Sequence, residues 1–205
     1  MALQIHHRKY KMENKIIRSY GTAEYRSMED GSESRKVAGC AVKFDSDSQD
    51  MGFIERILRG AITQDVIDNS DIYARMDHRE DVVLARSNHG KGSLKLELRE
   101  DGLYYEFDAP HTAHGDELLE HLKRGEIATS SFAFSLPMDD TACERWYKDG
   151  ELLRRDISKI ERIYDVSPVY NPAYLATSAE RRKLDALNAL PSYDSLLQEL
   201  EQFVV

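Results

Sequence analysis

The sequence has 205 residues, of which 41% are hydrophobic and 32% are charged, a balance typical of a globular chain that can bury a core of its own. Disordered and fibrous classes are therefore excluded. The 37 acidic and 28 basic residues give a formal net charge of −9, which argues against nucleic acid as the main partner because no excess of positive charge is available to neutralise phosphates.

The N-terminal residues 1–15 are basic and lack an apolar segment, so we expect a mobile arm and no signal peptide. No apolar run approaches the roughly 18 residues needed to cross a bilayer, and we expect no membrane association. Two cysteines, Cys40 and Cys143, are too few for a disulfide framework. We therefore expect a soluble protein with reduced thiols.

The first third of the chain predicts short strands between polar loops. A short apolar run covers Ile16 to Tyr20, and a polar loop follows at residues 27–34. The segment from Val37 to Phe44 is typical of a buried strand. Residues 53–60 (FIERILRG) fit a strand or a short helix equally well, because the run is too short for its period to separate them.

Residues 71–108 predict a β-meander. Two short apolar runs come first, and then leucines at 94, 96 and 98 alternate with charged residues, as in a half-buried strand. Asp101-Gly102 is a hairpin turn signal, and Leu103 to Phe107 predicts the returning strand.

The clearest helix is predicted over residues 116–124 (DELLEHLKR), with three leucines on one face and Gly125 at its C-terminal end. A strand is predicted at residues 130–136 (SSFAFSL), and another begins near Trp146. The last strand, around Asp165, is expected to be ended by Pro168 and Pro172.

Composition changes after Tyr174. Residues 178–189 are charged, Pro191 interrupts them, and residues 192–204 form an amphipathic helical pattern. We predict an N-terminal arm and lead-in at 1–34, a main domain at 35–174 and a helical C-terminal tail at 175–205. The tail packs on the domain, packs on a second copy in a homo-oligomer, or is a site of cleavage.

Motifs for nucleotide and standard zinc chemistry do not occur: the sequence has no P-loop, no GxGxxG after a strand, no HExxH and no CxxC. Five histidines fall within residues 78–121, but their spacing suits no compact set of metal ligands. We interpret them as scattered surface side chains and expect no metal.

A nucleophile with a base and an orienting group is the better-formed hypothesis. Ser130 and Ser131 open an aromatic strand, Asp77-His78 lies between apolar runs, and Asp165 lies in the last strand. Considered singly, each has a plainer interpretation: a serine at a strand edge, a surface histidine and a structural aspartate.

An ordered set of blocks over residues 37–182 resembles the HK97-type phage prohead (capsid maturation) proteases. The blocks are VAGCAVKF, ERILRGAI, MDHREDVVLAR, GSLKLELREDGLYYEFDAP, HTAHGDELLEHLKRGEIATSSFAFS and DVSPVYNPAYLATSAERR. The resemblance implies that His78 is the general base and that Ser131, directly before the phenylalanine, is the nucleophile rather than Ser130. It implies Asp165 as the third member, with Glu161 or a further histidine as alternatives.

Two small residues depart from the family pattern, since Thr129 and Ala85 stand where the family usually or often has glycine. The resemblance also implies a mainly β fold (α+β), a closed β-barrel with surrounding helices like that of the herpesvirus capsid proteases. Backbone N–H groups in a loop before Ile157, near Arg154 and Arg155, are a candidate oxyanion hole.

The implied function is a serine endopeptidase that needs no cofactor and cleaves the scaffolding segment of the major capsid protein, and itself, inside the assembling prohead in the bacterial host cytoplasm. A catalytically silent scaffold or internal head protein of the same fold is one alternative. A cellular or prophage-borne peptidase with another target is a second.

Overall fold

The computed structural model of the protein describes residues 15–26 and 34–170. Twelve strands and two α-helices occur within these ranges. In chain order they are β1 (Ile16–Tyr25), β2 (Lys36–Lys43), β3 (Ile54–Ile57), α1 (Gln64–Asp68), β4 (Asp71–Arg75), β5 (Val83–Asn88), β6 (Lys91–Gly92), β7 (Lys95–Arg99), β8 (Gly102–Asp108), α2 (Ala113–Arg124), β9 (Thr129–Ser135), β10 (Glu144–Asp149), β11 (Leu152–Ile157) and β12 (Arg162–Val169).

Nine of these strands form one sheet in the order β6-β5-β4-β12-β9-β1-β2-β8-β7. All neighbours are antiparallel except β4 and β12, which are parallel. The two end strands, β6 and β7, are joined by only Ser93 and Leu94, so the sheet must curl until its ends approach each other. The result is a nearly closed β-barrel, and the predicted mainly β fold class is confirmed.

Strand β9 lies near the middle of this order and is buried almost throughout. Phe132 and Phe134 on one face stack on each other with ring centroids 4.6 Å apart and are fully buried in the core. Side chains alternate across a strand, so the small residues Ser131 and Ala133 point to the opposite face. That face has room for side chains from other elements.

A second sheet of three strands has the order β10-β11-β3. Strands β10 and β11 form a hairpin that contains Trp146, as predicted. Strand β3 pairs in parallel with β11, with Ile57 opposite Ile157. This pairing settles the ambiguity at residues 53–60 in favour of a strand.

Helix α2 begins three residues before its predicted start, because Thr112 caps it by accepting a hydrogen bond from the Gly115 N–H. The predicted C-terminal end is confirmed, with Gly125 in the left-handed conformation at φ 74°. The leucines at positions 118, 119 and 122 are buried, as the pattern predicted. Neither described helix is long and apolar enough to cross a membrane.

Three expectations for the strands differ from the structure. The predicted meander is split, because the hairpins β4-β5 and β7-β8 lie at opposite ends of the strand order. The apolar run at Ile16 extends to Tyr25 as a strand near the middle of the main sheet. Pro168 lies inside β12 rather than ending it. A proline is tolerated at this position because β4 has already ended beside it, and the Pro168 carbonyl accepts the Asp77 N–H.

The predicted domain boundaries stay predictions. Most of the N-terminal arm, most of the predicted loop at 27–34 and the whole predicted tail at 175–205 lie outside the described residues.

The close approach of β1 to β2 requires glycine at position 21. A Cβ atom on Gly21 would lie 1.6 Å from the Cys40 carbonyl oxygen, so the strands would have to separate. We predict that Gly21→Ala lowers the free energy of unfolding by about 3 kcal/mol or more. Gly150→Ala is the control, because its added Cβ meets nothing within 4 Å and only its positive φ costs about 1 kcal/mol. Urea denaturation measures both, and equal losses would contradict the packing argument.

Candidate active site

His78 lies in the loop between β4 and β5, where the backbone is unusual. Asp77 and His78 both have positive φ, at 55° and 58°. Such conformations cost roughly 1–3 kcal/mol each for residues other than glycine and persist only where neighbouring structure holds them. The Asp77 N–H donates to the Pro168 carbonyl at 2.9 Å, which anchors the loop to β12. The imidazole is thereby turned toward the face of β9 that carries Ser131.

Ser131 is held between two strands, because β9 pairs with β1 on one side and with β12 on the other. Its partners in register are Ser19 and Ser167. The Ser131 Oγ lies 2.6 Å from the His78 Nε2 and 2.8 Å from the Arg18 carbonyl oxygen. The hydroxyl has one hydrogen and two acceptors, so it donates to only one of them at a time.

Asp165 completes a continuous hydrogen-bonded chain. Its Oδ1 lies 2.5 Å from the His78 Nδ1 and accepts from the Ser167 hydroxyl at 2.9 Å. The Asp165 side chain is fully buried in the barrel wall, whereas 12% of the His78 side chain is exposed. The structure thus brings together the three predicted site residues, although 53 residues separate His78 from Ser131 and 87 separate it from Asp165.

The environment of Asp165 favours the carboxylate. Burial on its own raises the pKa of this group, but contacts with His78, Lys15 and Ser167 outweigh burial and hold the pKa below its usual range. The Oδ2 atom faces the Lys15 ammonium at 3.2 Å and an Arg75 guanidinium nitrogen at 3.8 Å. A carboxylate at this point keeps the His78 proton on Nδ1, which leaves Nε2 free to accept from Ser131.

The other candidates for the site lie elsewhere. Ser130 points to the opposite face of β9, where its hydroxyl donates to the Tyr105 hydroxyl at 3.0 Å. Glu161 is exposed just before β12, so its side chain is outside this buried cluster. His114 and His121 on α2 contact Glu117. In residues 15–26 and 34–170, no three His, Cys, Asp or Glu side chains converge to hold a metal ion.

The expectation of a loop before Ile157 that could supply an oxyanion hole is wrong, because residues 152–157 form strand β11. Both guanidinium groups are engaged by carboxylates. Arg154 pairs with Asp47 and Asp149, and Arg155 binds a buried glutamate, described next.

A buried ionic cluster lies behind the Arg18 carbonyl. Glu55 is fully buried and is bound by the Arg18 Nε at 2.9 Å, by the Tyr20 hydroxyl at 2.5 Å and by the Arg155 Nη1 at 2.6 Å. Arg155 also contacts Glu144 at 2.7 Å. A buried charge is tolerated only when it is paired in this way. The cluster joins β1 to the small sheet, one residue from the strand position that faces Ser131.

Sequence reasoning missed Lys15, the Arg18 carbonyl and Ser167. Ser167 had a signal, because residues two apart on a strand share a face and Asp165 was already a candidate. Lys15 and Arg18 had none, since their place beside the site depends on the pairing of β1 with β9, more than 100 residues away.

Three comparisons with known proteins bear on the chain. A family model described as caudovirus prohead serine protease matches residues 22–189, which is more than half of the chain. No curated protein matches the sequence. Among solved structures, the chain is similar to the bacteriophage T4 capsid assembly protease, gp21, with 11% sequence identity and a TM-score of 0.46 over 77% of this chain and 98% of that one.

The buried cluster generates a stability prediction with a neighbouring control. Arg155→Met removes the guanidinium that pairs with both Glu55 and Glu144. We predict a loss of about 3–5 kcal/mol in the free energy of unfolding, because a buried charge then lacks one of its partners. Arg154→Met, one residue earlier on β11, breaks two ion pairs whose acids are 41% and 61% exposed, and we expect little loss. Chemical denaturation compares the two, and an equally mild Arg155→Met would show that the cluster is not stabilising.

Proposed function

This chain belongs to the caudovirus prohead serine protease family, and from that premise we propose that it is an active serine endopeptidase with Ser131 as nucleophile, His78 as general base and Asp165 as the group that orients the base. The observation that carries the proposal is the unbroken hydrogen-bonded chain from the Ser131 Oγ through both imidazole nitrogens to the Asp165 Oδ1.

The first chemical step forms a tetrahedral adduct on Ser131. The Ser131 Oγ attacks a peptide carbonyl carbon as the His78 Nε2 takes its proton, 2.6 Å away. A bond forms between Oγ and carbon, and the carbonyl electrons move onto oxygen. Asp165 stabilises the resulting imidazolium through Nδ1 and remains a carboxylate.

The second step releases the amine and then the acid. His78 gives its proton to the leaving nitrogen as the carbon–nitrogen bond breaks, which leaves an acyl group on Ser131. Water then attacks the ester with His78 again as base, and the free hydroxyl returns. Every proton in this sequence moves through side chains of this chain, so the proposed reaction draws on no cofactor.

We propose the scaffolding segment of the major capsid protein as substrate, and the assembling prohead as the place of reaction. Membership of the prohead serine protease family supports a role in capsid maturation. The catalytically silent scaffold of the same fold is the competing hypothesis. The intact geometry at Ser131, His78 and Asp165 favours the enzyme, because a silent protein has no need to keep them in contact.

The two adjacent serines provide a matched pair of variants. We predict that Ser131→Ala reduces cleavage of the major capsid protein by roughly 10⁴-fold or more, because the nucleophile is lost. Ser130→Ala removes a core hydroxyl that contacts the Tyr105 hydroxyl at 3.0 Å and the Ser167 carbonyl oxygen at 3.5 Å, and should keep most of the activity. Gel analysis of the capsid protein after incubation measures both.

If Ser130→Ala is inactive and Ser131→Ala is active, the nucleophile is Ser130 and not Ser131. An absence of cleavage by wild type and both variants would favour the silent scaffold.

The orienting role of Asp165 is tested by Asp165→Asn. The amide cannot hold the Nδ1 proton as a carboxylate does, and we expect a fall in kcat of roughly 10³–10⁴-fold with the fold retained. Glu161→Gln is the control, because Glu161 is exposed and outside the cluster. Kinetics on a capsid-derived peptide decide, and a nearly full rate for Asp165→Asn would remove Asp165 from the mechanism.

Self-processing is proposed for the C-terminal segment, residues 175–205, which combines the charged run SAERRKLD with Pro191. An extended backbone must enter a protease site, and such polar segments are preferred points of cleavage. We predict that wild type held for hours loses a C-terminal fragment and that Ser131→Ala keeps its mass. Intact-mass spectrometry of the two proteins side by side makes the comparison, and equal intact masses would contradict self-processing.

A further inference from the structure

The two oxygens of Asp165 have different environments. Oδ1 is occupied by His78 and Ser167, at 2.5 and 2.9 Å. Oδ2 is buried and faces two cations, Lys15 at 3.2 Å and Arg75 at 3.8 Å. The Arg75 nitrogen is beyond hydrogen-bond distance, and its guanidinium also lies over the Tyr73 ring, 4.9 Å from the centroid. Within residues 15–26 and 34–170, Lys15 is therefore the Lys or Arg side chain closest to the carboxylate.

Lys15 owes its position to the register of β1. It directly precedes Ile16, which pairs with Phe134, and the same register places Ser19 opposite Ser131. Its ammonium also lies 5.9 Å from the centroid of the Tyr164 ring, and 28% of the side chain is exposed. The family model matches from residue 22 onward, so Lys15 lies ahead of the segment by which the family is recognised.

We propose that Lys15 is a positioning residue of the proposed protease, which pairs with the Oδ2 of Asp165 and limits how strongly that carboxylate stabilises protonated His78. The effect of Lys15 on the rate rests on the proposed function, whereas its ion pair with Asp165 does not. Lys15 touches neither Ser131 nor His78 in any described contact, and it acts through Asp165.

The direction of the effect follows from electrostatics. A general base works only in its neutral form, and a nearby cation disfavours the imidazolium of His78. Without the ammonium, the Asp165 carboxylate attracts the imidazolium with less competition. His78 then remains protonated up to a higher pH, and activity is lost selectively at the acid end.

The elements packed around the Asp165–His78 pair bring several charged and titratable groups near it. Strand β1 contributes Lys15, β4 contributes Arg75, and β9, which pairs with Asp165 at Ala133, contributes no charge there. In the His78 loop, Asp77 is exposed and Arg79 is paired with Asp81. Among the described residues, Glu117 on α2, which contacts His114 and His121, and Tyr170 after β12 also lie near this loop.

The experiment compares Lys15→Gln and Lys15→Met with Lys15→Arg and with a charge control. Lys15→Met keeps the aliphatic stem, so loss of packing is separated from loss of charge. Lys95→Gln removes one positive charge from β7, where the side chain is 77% exposed and Glu106 is its partner at 3.8 Å. Each variant is measured for kcat/KM on a capsid-derived peptide between pH 5.5 and 9.

We expect both neutral variants to lower the ratio of kcat/KM at pH 6 to kcat/KM at pH 8.5 by about three- to tenfold, since the pair is partly exposed and screened. Lys15→Arg and Lys95→Gln should keep the wild-type ratio. A uniform loss at every pH would mean a merely structural contact and would overturn the proposal, as would an unchanged profile.

A second readout does not need activity. The His78 imidazole is followed by NMR as a function of pH in Ser131→Ala, with and without Lys15→Gln. We expect protonation of His78 to begin at a higher pH when the ammonium is absent. Identical titrations overturn the proposal even if the protein cleaves peptides, whereas a shifted titration in a protein that cleaves nothing sustains the ion pair and rejects only the proposed function.

Discussion

A buried carboxylate in the barrel wall is the constraint around which this site is built. Asp165 is fully buried on β12, between β4 and β9, and an unpaired charge at such a position would cost several kcal/mol or would be neutralised. Two of its partners, Lys15 before β1 and His78 after β4, are distant in sequence, whereas Ser167 lies two residues further along β12. Folding brings these groups together, and pairing the charge fixes the orientation of the imidazole.

A second buried carboxylate supports the other side of Ser131. Glu55 binds the side chain of Arg18, and the Arg18 carbonyl oxygen lies 2.8 Å from the Ser131 Oγ. The Ser131 hydroxyl thus contacts two ionic arrangements. The Asp165 carboxylate reaches it through the His78 imidazole, and the Glu55 cluster reaches it through the Arg18 backbone carbonyl. The aromatic face of β9 anchors the strand in the core, so the small hydroxyl on the opposite face is held by rigid neighbours. Precise placement of this kind is what nucleophilic catalysis requires.

Much of this arrangement was predictable from the sequence because it depends on local signals. Turn residues and alternation gave the β7-β8 hairpin, and a glycine stop gave the end of α2. The choice of Ser131 over Ser130 came from the family resemblance, and alternation agrees with it, since Ser130 shares a face with Phe132 and Phe134 whereas Ser131 does not. Pairings across more than 100 residues have no such signal. The position of β1, and with it Lys15 and Arg18, follows from its pairing with β9 and β2, and the split of the expected meander follows from the pairing of β4 with β12 and of β8 with β2.

Covalent capture of the nucleophile tests the central claim most directly. A fluorophosphonate forms a stable phosphorus–oxygen bond only with a serine whose hydroxyl is activated by a neighbouring base. Intact-mass and peptide mapping of the treated protein should show a single phosphonyl group on Ser131, and treated His78→Ala should show none. A label on another residue, or no label on a wild-type protein that is folded and cleaves its substrate, would contradict the assignment of Ser131 as the activated nucleophile.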